Sequence, residues 1–64
     1  MKLLDVPPRT LIRVKGEVKI PPGAPPINVG DELMFIRIDG MYSLCYKDKQ
    51  PVHLVAWADV EIVK

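Results

Sequence analysis

Residues 32–47 read ELMFIRIDGMYSLCYK, and this stretch decides the fold. Two runs rich in large apolar and aromatic side chains flank Asp39-Gly40. An acidic residue followed by glycine is a strong hairpin signal, because glycine accepts the positive φ that a tight turn requires. The stretch therefore predicts two paired strands, one from Glu32 to Asp39 and one from Tyr42 to Lys47.

Upstream of this hairpin, apolar and charged residues alternate from Thr10 to Ile20. Alternation with period two is typical of a half-buried strand. Gly16 interrupts the apolar face and predicts a bend, or the tip of a loop between two shorter strands. The chain then reads PPGAPP over residues 21–26, which favours an extended loop of polyproline II character.

Downstream of the hairpin, the sequence predicts two more strands. Residues 47–51 form a polar turn, followed by a fourth strand from Val52 to Ala56. Trp57-Ala58-Asp59 is a tight turn, and Val60 to Val63 is the fifth strand. Short strands separated by turn signals every eight to twelve residues or so indicate a sandwich or a barrel. A chain of 64 residues has too few strands for a sandwich, so we expect one all-β barrel domain over residues 1–64.

Three segments resemble Src-homology-3 domains in order and spacing. Val29 to Leu33 is similar to that family's entry into its second strand, and Asp39 to Tyr42 to its central hairpin. Val55 to Val63 is similar to its closing segment, a short 3₁₀ turn followed by the last strand. Over residues 29–63, the resemblance implies a five-stranded Src-homology-3-like barrel with a 3₁₀ turn before the last strand.

The same alignment removes the peptide ligand that the family usually binds. Proline-rich peptides dock in an aromatic-lined groove in such domains. Met41 stands where the family has a groove tryptophan, Ala56 where it has proline, and Asp59 where it has a groove tyrosine. Without these rings, we expect no standard proline-peptide activity, and fold alone does not define function.

The composition excludes several classes of site. Nine basic and eight acidic residues leave a net charge of +1, so no strongly charged partner is indicated. Cys45 is the only cysteine and His53 the only histidine, which rules out an internal disulfide and a four-ligand zinc site. We expect no metal and no cofactor. No apolar run is long enough for a membrane helix or a signal peptide, and the lone thiol favours a cytoplasmic location.

Enzymatic activity is not expected. Cys45 and His53 suggest a nucleophile and base, but both lie in predicted strands and no third orienting group is evident. Cysteine is commonly a small buried hydrophobe, and we expect that role for Cys45.

A basic stripe offers one candidate surface. Arg13, Lys15 and Lys19, with Arg9 nearby, share one strand face and form a candidate nucleic-acid-binding surface. The alternative is the solvated face of an edge strand, where lysines discourage pairing with other chains. Glu17 interrupts the stripe, which favours the second interpretation.

The aromatic residues and the proline loop are the other candidates. Phe35, Tyr42 and Tyr46 are expected in the core, with Tyr42 and Tyr46 on one face of their strand. Trp57 lies in a predicted turn, so both core packing and partner contact stay open. The loop that contains Pro25 and Pro26 either binds a partner or acts as a stiff connector.

More apolar residues are present than a barrel of this size easily buries. Met34, Ile36 and Ile38 crowd one strand, and the N-terminus adds Leu3 and Leu4. The favoured hypothesis is a non-enzymatic protein-interaction or regulatory module of bacterial or phage type, with self-association as an option. Alternatively, the N-terminal arm covers the excess. The predicted partner contacts are Trp57, Met41, Tyr42, Pro25 and Pro26.

Overall fold

The computed structural model describes residues 1–16 and 27–63. Within these ranges the chain forms five strands and one short 3₁₀ helix, Leu3–Asp5, which is too short to cross a membrane. Pro25, Pro26 and Lys19 lie outside the described residues. The strands are β1 Thr10–Val14, β2 Glu32–Asp39, β3 Tyr42–Lys47, β4 Gln50–Val52 and β5 Val60–Ile62.

All five strands join one antiparallel sheet in the order β4-β3-β2-β1-β5. The chain runs from β1 to β4 through neighbouring strands, and β5 then returns to pair with β1. The all-β class and the five strands are thus confirmed. Among the described strands β4 and β5 form the two edges and do not pair, so the sheet is open rather than closed into the expected barrel.

The central hairpin has the predicted bounds. Asp39 pairs with Tyr42, and Gly40 takes a φ of 67° in the two-residue turn between them. That backbone conformation is readily accessible to glycine and strained for most other residues. The Asp39-Gly40 signal therefore positioned both strands correctly.

A β-bulge in β2 resolves the crowding of apolar residues in that strand. The register shifts between Phe35 and Arg37, which leaves Ile36 as the extra residue. In a regular strand Phe35 and Ile38 would point to opposite faces, because their spacing is odd. The bulge reverses the alternation, so Phe35 is buried and Ile38 also packs against the core. Arg37 faces solvent as a result.

The tyrosines lie on the face opposite to the one expected. Tyr42 and Tyr46 do share a side of β3, but both are exposed, at 39% and 40%. Ser43 and Cys45 point inward instead, and Phe35 pairs directly with Cys45. The small side chains on β3 leave room for the large ring from β2, whereas two inward tyrosines would overfill a core this small.

The strand predicted from Thr10 to Ile20 ends at Val14. The Val14 amide donates to the Asp31 carbonyl, and the Gly30 amide donates to the Val14 carbonyl. The end of β1 therefore pairs with a turn before β2 and not with a strand. In that turn the Asp31 amide donates to the Asn28 carbonyl. Residues 17–20 lie outside the described part of the chain.

The fourth strand begins earlier than predicted. Asp48 and Lys49 alone form the turn, with φ values of 50° and 67°. Positive φ at both central residues is the mark of a type I′ hairpin turn, which allows Gln50 to pair at once with Lys47. Two successive non-glycine residues with positive φ are not evident from this sequence, so the turn was predicted too long.

β4 does not continue as a regular strand to Ala56, but its register persists. The Ser43 amide donates to the Leu54 carbonyl at 2.7 Å, and the Ala56 amide donates to the Met41 carbonyl at 2.9 Å. Between them, the His53 ring nitrogen Nδ1 lies 3.0 Å from the Ser43 carbonyl and donates to it. The His53 side chain thus supplies a hydrogen bond to β3 just after the end of β4, where regular strand pairing stops.

The turn before β5 closes with one hydrogen bond, from the Ala58 amide to the Val55 carbonyl. It begins two residues earlier than the predicted Trp57-Ala58-Asp59 turn. The N-terminal segment packs beside it: the Leu3 amide donates to the Ala58 carbonyl, and Leu3 is fully buried. The N-terminal arm therefore covers part of the core, which was the alternative to self-association in the sequence analysis.

Replacing Lys49 by glycine should raise the free energy of unfolding by about 0.5–1 kcal/mol, because glycine removes the strain of positive φ in the type I′ turn. Urea unfolding monitored by circular dichroism measures the change. Gln50→Gly, next in the chain but inside β4, is the control and should lower stability. A loss of stability in both variants would contradict the turn geometry.

Candidate functional site

Three residues predicted as partner contacts lie on neighbouring backbone segments at one end of the sheet. Met41 and Trp57 approach through the hydrogen bond from the Ala56 amide to the Met41 carbonyl. Tyr42 forms a bridge with Val55. Leu4 joins them, because its amide donates to the Ala56 carbonyl at 2.8 Å. We refer to the set as the end cluster: Leu4, Met41, Tyr42 and Trp57.

The end cluster is exposed, although its backbone is well anchored. Exposed fractions of its side chains range from 39% for Tyr42 to 65% for Met41, and Trp57 is 49% exposed. Ala56, whose backbone links them, is buried. From the sequence, Leu4 is predicted only as excess apolar surface, because its position beside Ala56 depends on how the N-terminal segment pairs.

Carboxylates border the end cluster. Asp5 follows Leu4 in the chain, and Asp39 is the cross-strand partner of Tyr42; both are exposed. Asp59 is also exposed, and its Oδ1 lies 3.2 Å from the Met1 amino group. Asp5 and Asp39 are therefore the two exposed carboxylates at the border, whereas the charge of Asp59 is offset by the amino terminus.

A second apolar feature crosses the outer face of the sheet. Leu11 pairs with Met34, Met34 with Tyr46, and Tyr46 with Pro51. Directly paired residues point to the same face, and all four are exposed. We refer to this set as the apolar row: Leu11, Met34, Tyr46 and Pro51. Half-buried Val63, whose amide donates to the Leu11 carbonyl, extends it.

The outer side of β3 connects the two features. Tyr42, Leu44 and Tyr46 alternate along one face of the strand, and Leu44 between the tyrosines is half-buried. The end cluster and the apolar row are thus joined into one apolar surface. Single exposed apolar residues are ordinary, but contiguous ones mark interaction surfaces.

The predicted basic stripe is largely neutralised where the structure describes it. Arg13 Nη1 lies 2.9 Å from Glu61 Oε1, and Arg13 Nη2 lies 2.9 Å from Glu32 Oε2. Both hydrogen bonds raise the pKa of Arg13, and the one to Glu32 has the larger effect. Lys15 Nζ approaches Glu61 at 3.9 Å, while Arg9 is exposed. A phosphate at Arg13 would have to displace two carboxylates.

Cys45 is buried, as expected, and its burial raises the pKa of the thiol. The Ser43 hydroxyl, 3.4 Å from Cys45 Sγ, acts weakly in the opposite direction. The hydrogen bond of the His53 ring goes to the Ser43 carbonyl. Among residues 1–16 and 27–63, no three His, Cys, Asp or Glu side chains gather as metal ligands.

One further ion pair holds the entry to β2. Lys47 Nζ lies 2.8 Å from Asp31 Oδ2, and the Asn28 amide donates to the same oxygen at 2.9 Å. Both contacts lower the pKa of Asp31 below its ordinary value of 3.8, and the hydrogen bond from Lys47 has the larger effect. Both contacts favour the ionised carboxylate.

No family model, curated protein or solved structure matches this chain. The resemblance of residues 29–63 to Src-homology-3 domains therefore gains no support from known relatives. Function has to be inferred from the surfaces described above.

Replacing Lys47 by methionine should raise the pKa of Asp31 toward 3.8, because the largest stabiliser of its charged form is removed. A folded-state pKa below the unfolded value contributes stability above the unfolded pKa, and that stability is lost as pH falls through the folded pKa. The variant should therefore lose less stability on acidification. Carbon-detected NMR titration of the Asp31 carboxyl reports the pKa.

Lys49→Met is the matched control, since Lys49 makes no ion pair among the described residues. It should leave the titration of Asp31 unchanged. If Lys47→Met also left that titration unchanged, the ion pair would be absent in solution.

Proposed function

We propose that the chain is a non-enzymatic protein-binding module and that the end cluster is its contact surface. The observation that carries the proposal is that exposed Trp57, Met41 and Tyr42 lie on neighbouring backbone segments at one end of the sheet. Trp and Tyr are the side chains that most often dominate binding energy at protein interfaces. An anchored backbone beneath exposed side chains lowers the entropy lost on binding.

We also propose that the five strands are a Src-homology-3-like arrangement. Support for this proposal comes from the positions of the three segments that resemble that family. Val29 to Leu33 leads into β2, Asp39 to Tyr42 forms the central turn, and Val55 to Val63 contains a turn and the last strand. A proline-helix ligand is not part of the proposal, since Met41, Ala56 and Asp59 replace the aromatic groove.

The chemistry of the partner follows from the border of the end cluster. Leu4, Met41 and Trp57 offer apolar contact, whereas Asp5 and Asp39 offer negative charge at the edge. Complementary potentials favour association and select against partners of like charge. We therefore infer that the partner is a protein segment that carries large apolar residues together with Lys or Arg.

A nucleic-acid role has less support. Phosphate binding draws on clustered free cations, and Arg13 is held between Glu32 and Glu61. The end cluster has acidic neighbours, which oppose a phosphate backbone. The aromatic side chains alone do not favour that alternative.

Peptides selected from a random display library on the wild-type protein should be rich in large apolar and basic residues. Trp57→Ala should weaken their binding by at least about 30-fold, the loss typical of a central interface aromatic. Binding is measured by isothermal titration calorimetry, and the wild type adds a fluorescence signal because Trp57 is its only tryptophan.

Tyr46→Ala is the matched control, because Tyr46 is an aromatic residue of similar exposure outside the end cluster. It should retain peptide affinity. Selection of no peptide, or equal losses in Trp57→Ala and Tyr46→Ala, would contradict the proposed contact surface.

A further inference from the structure

We propose that a second copy of this chain docks face to face on the apolar row, related by a two-fold axis that runs along the row. The apolar row adjoins the end cluster but shares no residue with it, and the dimer does not depend on the partner proposed above. The row, its charged neighbours and its area together point to this occupant.

Three parallel rows of side chains lie on the outer face. The apolar row crosses β1 to β4. Next to it on one side, Glu32, Arg13 and Glu61 form a charged row across β2, β1 and β5. On the other side, Arg37 pairs with Leu44 across β2 and β3. The apolar row thus lies between a border that contains Glu32 and a border that contains Arg37.

A two-fold axis along the apolar row makes these borders complementary. The rotation keeps each strand position but exchanges the two borders, so Glu32 of one copy falls over Arg37 of the other. Both residues belong to β2, on either side of Met34. Each contact occurs twice in the dimer, as an isologous interface requires. An axis along the strands would instead place like borders over each other.

Arg37 is available for this contact because of the bulge. The extra residue Ile36 turns Arg37 outward beside Leu44. Within residues 1–16 and 27–63, no carboxylate lies in ion-pair contact with Arg37. Glu32 shares the single charge of Arg13 with Glu61, so a second cation can still pair with Glu32.

The area of the face sets the expected strength. Five strands spaced about 4.8 Å apart give a width of about 24 Å, and three rows about 6.8 Å apart give a height of about 20 Å. Each copy would therefore bury at most about 480 Å², and the pair about 1,000 Å², the lower limit of a specific interface. We expect a weak dimer with a dissociation constant of about 10 μM to 1 mM.

Sedimentation equilibrium of the whole chain from about 10 μM to 1 mM tests the proposal over the range expected for so small an interface. At the upper end of this range, about half or more of the wild-type chains should be in dimers. Met34→Glu should weaken the dimer at least about tenfold, because it places a charge in the apolar centre. Arg37→Glu should weaken it by a similar factor, because it sets Glu against Glu32.

Two further variants separate the charge contact from general charge effects. Lys49→Glu makes the same charge change in the β3–β4 turn and should leave the dimer unchanged. The double variant Arg37→Glu with Glu32→Arg should recover dimerisation, because the two charges are exchanged. Circular dichroism checks the fold of each variant. If the double variant does not fold, the dimer affinities of Met34→Glu and Arg37→Glu, each compared with that of Lys49→Glu, still test the proposal.

Three results would overturn the proposal. One is a monomer throughout the concentration range, and another is a dimer unaffected by Met34→Glu and Arg37→Glu. The third is equal weakening by Lys49→Glu. Trp57→Ala should leave the dimer intact, so failure of the end cluster as a binding surface and failure of the dimer are distinguishable.

Discussion

The bulge at Ile36 is the constraint on which the rest of the structure depends. β2 carries apolar residues at both odd and even positions, and one sheet face cannot take them all. By shifting the register between Phe35 and Arg37, the extra residue lets Phe35 and Ile38 both reach the core. The same shift moves Arg37 and Asp39 to the outer face, where they border the apolar surfaces.

The packing of Phe35 in turn decides what β3 presents to solvent. Phe35 pairs with Cys45, whose small side chain points inward as that of Ser43 does, so the larger Tyr42, Leu44 and Tyr46 occupy the outer side. A core this small cannot hold large residues from both strands at the same level. The apolar outer surface is therefore a consequence of core volume, and both proposed interfaces use it.

Local signals in the sequence predicted the strands better than the faces. The bounds of β2 and β3 followed from Asp39-Gly40, because glycine is specific for that turn. Alternation along β3 put both tyrosines on one side but did not say which side faces inward. The inward side of β3 depends on its cross-strand partner Phe35, and the sequence of β3 alone does not indicate which side that is.

The candidate site was predictable in its members but not in its arrangement. Trp57, Met41 and Tyr42 were identified from turn positions and residue type, and the backbone brings them together through Ala56. Leu4 and the ion pairs of Arg13 depend on contacts between segments that are distant in sequence. Sequence spacing alone therefore overestimated the free positive charge of β1.

The most direct test of the account is the cross-strand pairing of β2 and β3 in solution, measured by nuclear Overhauser effects. The bulge predicts contacts of Arg37 with Leu44 and of Ile38 with Ser43. A regular strand would instead place Ile36 opposite Leu44 and Ile38 opposite Tyr42. That result would remove the inward position of Ile38 and the outward position of Arg37, and would contradict the account.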